Sequence, residues 1–375
     1  MRCLFLAPLK PPDHPVPSGD RTMARLFLKL LRHLGYEASL ASCLRSFHAD
    51  PAAVDWQALE REAAREVARI GAENDGAEVA CVFTYHVYYK APDLVGPALA
   101  ARLGVPYVIA EASRAPKRAA GPFAQGHRRA EAAIDAARLI LTPTGTDREV
   151  LDRLRPPHQH IADLKPFLDR ADWPLAGVGA PRAGGPVRLI TLAMMRPGDK
   201  LASYHQLAQA LASIDSGWTL DIVGDGPARP QVQAAFAPFG ARVRWHSAIT
   251  DRAALGALFH AADLFVWPGV NEAFGAVFLE AQAHGLPCLA GAYGGIADTM
   301  IPGTTGLITP AGDIPAFRAA LAGLAGDPAR RRAMGTAAAR FIAGERDLPQ
   351  AATTLMAAFR AAGIAQPPAR SGSYP

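Results

Sequence analysis

Two glutamates eight residues apart, Glu272 and Glu280, lie in the segment Asp263-Leu-Phe-Val-Trp-Pro-Gly-Val-Asn-Glu-Ala-Phe-Gly-Ala-Val-Phe-Leu-Glu280. The apolar run ending at Trp267 reads as a strand, Pro268-Gly269 breaks it, and a helix is expected from near Gly275. That places one carboxylate in the loop before the helix and the other inside it. The free N–H groups and positive dipole end of such a helix suit a diphosphate. Carboxylates on both flanks accept hydrogen bonds from hydroxyls. A nucleotide sugar has this plan: ribose hydroxyls, then a diphosphate, then hexose hydroxyls. The bland alternatives are a capping acid at Glu272 and a solvated helix acid at Glu280.

Arg196 and Lys200 follow another apolar run, Val187–Leu192. Two fixed cations beyond a strand end neutralise a departing diphosphate. The alternative is a surface pair near a helix start. Lysine is scarce here: six residues (Lys10, Lys29, Lys90, Lys117, Lys165, Lys200) against 33 arginines among 39 basic side chains, and Lys200 is the last of them. With abundant alanine, that bias fits a GC-rich bacterial genome. Ser113–Arg129 holds five cations, including Arg114, no acid, and one aromatic, Phe123. Arg21, Arg25, Lys29 and Arg32 form a stripe at helical spacing. A solvated face is the usual meaning of such runs; an anionic acceptor or a membrane surface is the alternative.

These residues need a scaffold that presents strand ends. Short apolar runs alternate with amphipathic stretches: strands near Cys3–Ala7, Glu37–Leu40, Val79–Thr84, Tyr107–Ala110 and Leu139–Leu141, then Val187–Leu192, Thr219–Val223, Arg242–Trp245, Leu264–Trp267 and Pro287–Leu289. The pattern predicts two parallel sheets with helices on both faces. In such sheets ligands bind beyond the carboxyl ends of the strands. The expected organisation is a first domain over 1–169, a Pro/Gly-rich linker over 170–186, and a second domain over 187–347. A C-terminal helix over 348–364 packs back on the first domain, and a disordered tail follows over 365–375. The 375 residues, half of them apolar, suffice for two full cores.

A net charge of +5, from 39 basic and 34 acidic residues, is too small for a nucleic-acid-binding chain. Four scattered cysteines read as buried hydrophobes in a reducing compartment. No signal peptide or uncharged spanning run is evident, so a cytoplasmic protein is expected, with peripheral contact at the inner membrane face as the variant the basic runs allow. No ligand spacing for a metal occurs, and Gly224-Asp-Gly226-Pro lacks the spacing of a dinucleotide loop.

On these motifs the chain resembles family 4 glycosyltransferases, retaining enzymes of the GT-B fold. Glu272 and Glu280 match the family's E-x7-E signature, with Phe274-Gly275 between them. Ala283-His-Gly-Leu-Pro-Cys-Leu-Ala-Gly, Ile301-Pro-Gly-Thr-Thr-Gly-Leu and Asp221-Ile-Val-Gly-Asp-Gly-Pro are similar to its other stretches, in the right order over most of 187–345. The resemblance implies two Rossmann-like domains facing each other across a cleft, no cofactor, no metal, and transfer of a hexose from a nucleotide diphosphate sugar to a glycan or lipid-linked acceptor in bacterial surface-glycan or glycolipid assembly. It implies that Glu280 binds ribose and Glu272 lies at the sugar. Gly19, Gly224 and the backbone of Phe274, Gly275, Ala276 and Val277 would meet the donor, and Arg196 and Lys200 the diphosphate. His86 stands where the family has a cleft histidine. Glu111 replaces a second histidine, and contacts the acceptor or pairs with Arg114. Lys200 follows Arg196 by four residues, where the family has five. Ser18 replaces one glycine of the family's first loop. Other classes that keep parts of this pattern are a nucleotide-sugar 2-epimerase of the same fold and a non-catalytic nucleotide-sugar-binding partner.

Overall fold

The computed structural model describes residues 1–173, 185–214 and 217–368. The chain divides into two compact units, Met1–Lys165 with Pro349–Pro375, and Pro166–Leu348. Residues 166–169, expected with the first domain, therefore lie with the second. Of the expected linker, 174–184 fall outside the described residues, as do 369–375 of the expected tail.

The first unit runs β1 (Arg2–Leu6), α1 (Gly19–His33), β2 (Glu37–Leu40), α2 (Trp56–Glu73), β3 (Val79–Val87), α3 (Gly96–Leu103), β4 (Tyr107–Ala112), α4 (Ala124–Ala136), β5 (Leu139–Thr142), α5 (Gly145–Arg153) and β6 (His160–Asp163). Its sheet has the order β2-β1-β3-β4-β5-β6, and every pairing is parallel. Each residue of β4 and β5 is buried, as expected of strands covered on both faces. Ser18, Asp55 and Thr144 cap α1, α2 and α5 by accepting from backbone N–H groups of the first turn. Ahead of α3, Asp93 accepts from the N–H groups of Val95 and Gly96 at 2.9 and 2.8 Å.

The second unit runs β7 (Val187–Leu192), α6 (Asp199–Leu211), β8 (Trp218–Val223), α7 (Arg229–Phe236), β9 (Val243–His246), α8 (Arg252–Ala261), β10 (Leu264–Trp267), α9 (Val277–Ala283), β11 (Cys288–Gly291), β12 (Gly306–Thr309), α10 (Ile314–Gly326) and α11 (Pro328–Phe341). Its sheet has the order β12-β11-β10-β7-β8-β9, again all parallel. The order reverses between β7 and β10, so the loops after those two strands flank the switch point where open sheets bind ligands. A π turn over Ile342–Arg346 leads to α12 (Leu348–Ala361), whose residues from Pro349 on belong to the first unit. There Phe359, fully buried, packs on Tyr36 and Phe83, with ring centroids 5.9 and 6.5 Å apart. Arg138 and Tyr36 donate to the carbonyls of Ala362 and Ala365 at 3.0 and 2.8 Å.

Candidate active site

In the second unit the loop after β10 and the start of α6 are built as one piece. Ser203 Oγ donates to the carbonyl of Asp199 at 2.9 Å and accepts from the N–H of Val270 at 2.9 Å. Asn271 Nδ2 donates to Asp199 Oδ1 at 2.9 Å. Asn271 holds φ at 50°, a left-handed conformation costly for a residue with a Cβ. The next residue is Glu272. Its Oε1 accepts from Lys200 Nζ and, at 3.1 Å, from Trp267 Nε1. The ammonium also lies 5.7 Å from the centre of the Trp267 ring. Helix α6 begins at Asp199, which puts Lys200 in its first turn.

Beyond Glu272, Phe274 is buried and Gly275 takes φ of 70°. A Cβ there would press on the Phe278 ring, so the turn into α9 requires glycine. The first bonds of that turn are donated by Phe278 to Gly275 and by Leu279 and Glu280 to Ala276. The N–H groups of 274–277 lie ahead of those bonds. Glu280 sits half-buried in α9. Burial pushes its pKa up to about 7, against a smaller opposing pull from Arg252. Arg196 is exposed. Gly224, at φ 149°, serves close packing: a Cβ there would collide with the carbonyl oxygen of Ala193, in the loop that leads to Arg196. The second unit thus brings Lys200 onto Glu272 in one element pair, with the 274–277 backbone and Glu280 following along the same segment.

In the first unit the candidate group forms where β3 and β4 both break. His86 and Glu111 take φ of 62° and 64°. With Asn271 they are the non-glycine residues of positive φ among the described residues, and each stands at or just beyond the carboxyl end of a strand. His86 Nδ1 lies 3.2 Å from Asp20 Oδ1 and 3.6 Å from Glu111 Oε1. Burial disfavours the charged imidazole, but Glu111 and Asp20 outweigh it and hold the His86 pKa up at about 9. Burial raises the Glu111 carboxyl against the pull of His86. Asp20 is also penalised by burial, yet its bond to His86 leaves its pKa lowered. Gly19 is the first residue of α1, beside the Ser18 cap, and the space where its Cβ would stand is open.

Arg114, expected on the acceptor side or paired with Glu111, has a buried side chain that bonds Glu131 and Asp135 and braces α4. Glu111 pairs with His86 instead. The basic stripe of α1 is also partly spent on its own unit. Arg21 and Arg25 donate to the carbonyls of His14 and Pro12 at 2.8 and 2.6 Å, and Arg32 to that of Ala38 at 2.9 Å. Two further residues join these groups, Asp20 beside His86 and Trp267 beside Glu272. A carboxylate at a helix start beside a loop histidine, and a ring ending a strand five residues before a glutamate, were the signals for them.

Residues 187–327 match the family described as Glycosyl transferases group 1. The chain is 41% identical over 111 residues to the D-inositol 3-phosphate glycosyltransferase of Kribbella flavida, 30% of this chain and 26% of that protein. It is 28% identical over 235 residues to the glycogen synthase of Mycobacterium tuberculosis, 62% of this chain and 56% of that one. The matches thus span about a quarter and just over half the length of these curated relatives. In fold it is similar to the sucrose-phosphate synthase of Thermosynechococcus elongatus, with a TM-score of 0.72 at 18% identity over 96% of this chain and 99% of that one. It is likewise similar to Anabaena HepE in complex with UDP, with a TM-score of 0.71 at 15% identity over 96% and 100%. These likenesses show the fold, two Rossmann-like halves of GT-B architecture. Among the described residues no group of three or more His, Cys, Asp or Glu side chains is arranged to hold a metal ion, and no helix is long and apolar enough to cross a membrane.

Proposed function

We propose that the chain is a retaining glycosyltransferase that moves a hexose from a nucleotide diphosphate sugar to an acceptor hydroxyl without a metal ion, in the assembly of a glycan or glycolipid. The observation that carries this reading is the Lys200–Glu272–Trp267 assembly in a group 1 domain, with Glu280 eight residues on. A carboxylate held by a cation beside backbone N–H groups suits a sugar attached to a diphosphate. The binding of UDP by Anabaena HepE, which shares the fold, supports a nucleotide donor.

In this reading Glu280 accepts from ribose hydroxyls and Glu272 orients the hexose. Lys200 and Arg196 meet the negative charge that grows on the diphosphate as the anomeric C–O bond breaks. The acceptor oxygen bonds the anomeric carbon on the face the diphosphate leaves. The departing phosphate oxygen takes the acceptor proton, so no protein nucleophile is required.

The test is a melting-temperature screen of the full chain with UDP, GDP and ADP in excess chelator, followed by NMR of the product formed from the best donor. A ligand that binds only the folded state raises the midpoint. One nucleoside diphosphate is expected to do so with chelator present, and the product is expected to keep the donor's anomeric configuration. A strict need for Mg²⁺ or Mn²⁺, or an inverted product, sinks this mechanism.

A further inference from the structure

A row of rings leads away from His86 within the first unit. The His86 and Tyr88 ring centroids are 4.9 Å apart, Tyr88 and Tyr89 5.4 Å, and Tyr89 and Phe123 5.1 Å. The last pair meets edge to face at 82°. Two cations flank it. Lys90 Nζ lies 5.7 Å from the Tyr89 ring and 5.3 Å from Phe123; the Arg118 guanidinium lies 5.3 and 5.5 Å from the same rings. Tyr88, Tyr89, Lys90 and Phe123 are half-buried and Arg118 is exposed. Nothing in the chemistry proposed above uses this group.

Half-exposed rings offer flat apolar faces, and the C–H face of a pyranose stacks on such a face while its hydroxyls stay in water. Neutral sugars need no fixed cations. Here two cations, Lys90 and Arg118, are held over one ring pair, and Arg118 and Phe123 belong to a stretch, Ser113–Arg129, that contains no acid. A guanidinium meets a carboxylate or phosphate through two parallel bonds. A membrane surface fits less well. Among the described residues the large apolar side chains that stand exposed are Val16, Leu154 and Ile301, none of them in this stretch. Its exposed residues from Pro116 to Pro122 are cationic or small. An inserting loop presents apolar side chains to the bilayer.

We infer that the Tyr89–Phe123 ring pair with Lys90 and Arg118 is a saccharide-binding site for a pyranose that carries an anionic group. As the acceptor subsite it rests on the transferase reading; as a binding site it stands on its own geometry. The anionic group is a carboxylate or a phosphate, which these cations bind through the same chemistry.

The experiment is calorimetric titration of the full chain with three probes that share one ring: methyl glucoside, methyl glucuronide and glucose 6-phosphate. Nucleoside diphosphate affinity is measured on the same samples. Saturable binding of at least one charged probe is expected, about tenfold or more tighter than the neutral one. The stronger of the two charged probes identifies the anionic group. Arg118→Gln and Lys90→Gln are expected to abolish the preference for charge and leave nucleotide affinity unchanged. Phe123→Leu is expected to weaken all three probes several-fold. Equal binding of charged and neutral probes, no saturable binding, or binding untouched by Arg118→Gln overturns the inference. So does binding to anionic-lipid vesicles, lost in Arg118→Gln, with no saccharide bound. Failure of nucleotide binding in the unaltered chain, with the charged saccharide still bound, counts against the transferase reading alone.

Discussion

At the scale of single residues the site depends on a few charges whose partners are now known. Lys200 is fixed by Glu272 and by the Trp267 ring, so it waits at the place where negative charge is proposed to grow. Such a group stabilises the transition state more than the ground state. Lys200→Ala is expected to lower kcat by roughly 10²–10³, with a smaller rise in donor KM, and to cost about 1 kcal/mol of stability for a half-buried pair. Steady-state kinetics and denaturant titration check both; a full kcat removes Lys200 from the chemistry. Glu280 gives a pH-dependent outcome. Its folded pKa, about 7, exceeds the ordinary 4.5. The stability it lends the fold is therefore complete below pH 4.5 and lost as pH rises through 7. In the proposed role the ionised carboxylate accepts from ribose hydroxyls better, so nucleotide affinity is expected to rise through the same range, and Glu280→Gln to flatten both profiles. Calorimetry from pH 5.5 to 8.5 on the two proteins reads this directly. Glu272, Glu280 and Lys200 were legible from the sequence because strand, break and helix follow one another within a few residues. Arg114 was not, because its partners, Glu131 and Asp135, stand on α4 and no local spacing announces them.

At the scale of elements, β3 and β4 break at the same level. His86 and Glu111, at equivalent places on neighbouring strands, both adopt left-handed backbone. Such conformations cost on the order of 1–3 kcal/mol each and persist where the surroundings hold them. The imidazolium contact with Asp20 and Glu111 is one such restraint. Since the His86 pKa is raised from 6.5 to about 9, its contribution is complete below pH 6.5 and lost as pH climbs through 9. The unaltered chain is thus expected to lose stability over that window, and His86→Gln to lack this loss. Melting temperatures across pH 6–10 measure it, and an imidazole resonance titrating near 6.5 contradicts it. The element pattern itself was largely legible, since most buried strands are continuous apolar runs. Three elements were not. β6, His-Ile-Ala-Asp, is a partly exposed edge strand with no apolar run. β12 opens on a glycine. α7 starts Arg-Pro and shows little amphipathic contrast. Each is placed by pairing or packing with distant residues.

At the scale of the whole molecule, the two units differ in how the chain builds them. The second is one continuous stretch, whereas the first is closed by residues that come after it, from Pro349 on. Leu355 and Phe359 of α12 are fully buried, and two large apolar side chains are worth about 3–6 kcal/mol together. Removing residues 349–375 is expected to lower the melting transition of the first unit by more than 10 °C and to leave the second unit's transition in place. Differential scanning calorimetry distinguishes them, and two unchanged transitions contradict the assignment of α12. The same discontinuity sets an order of birth. On a ribosome the first unit is synthesised first, but Tyr36 and Phe83 wait without their cover until the last helix emerges. By then the second unit is wholly translated. The first unit, although it starts the chain, is therefore completed after the second, and its exposed aromatic core must outlast the whole synthesis of its neighbour.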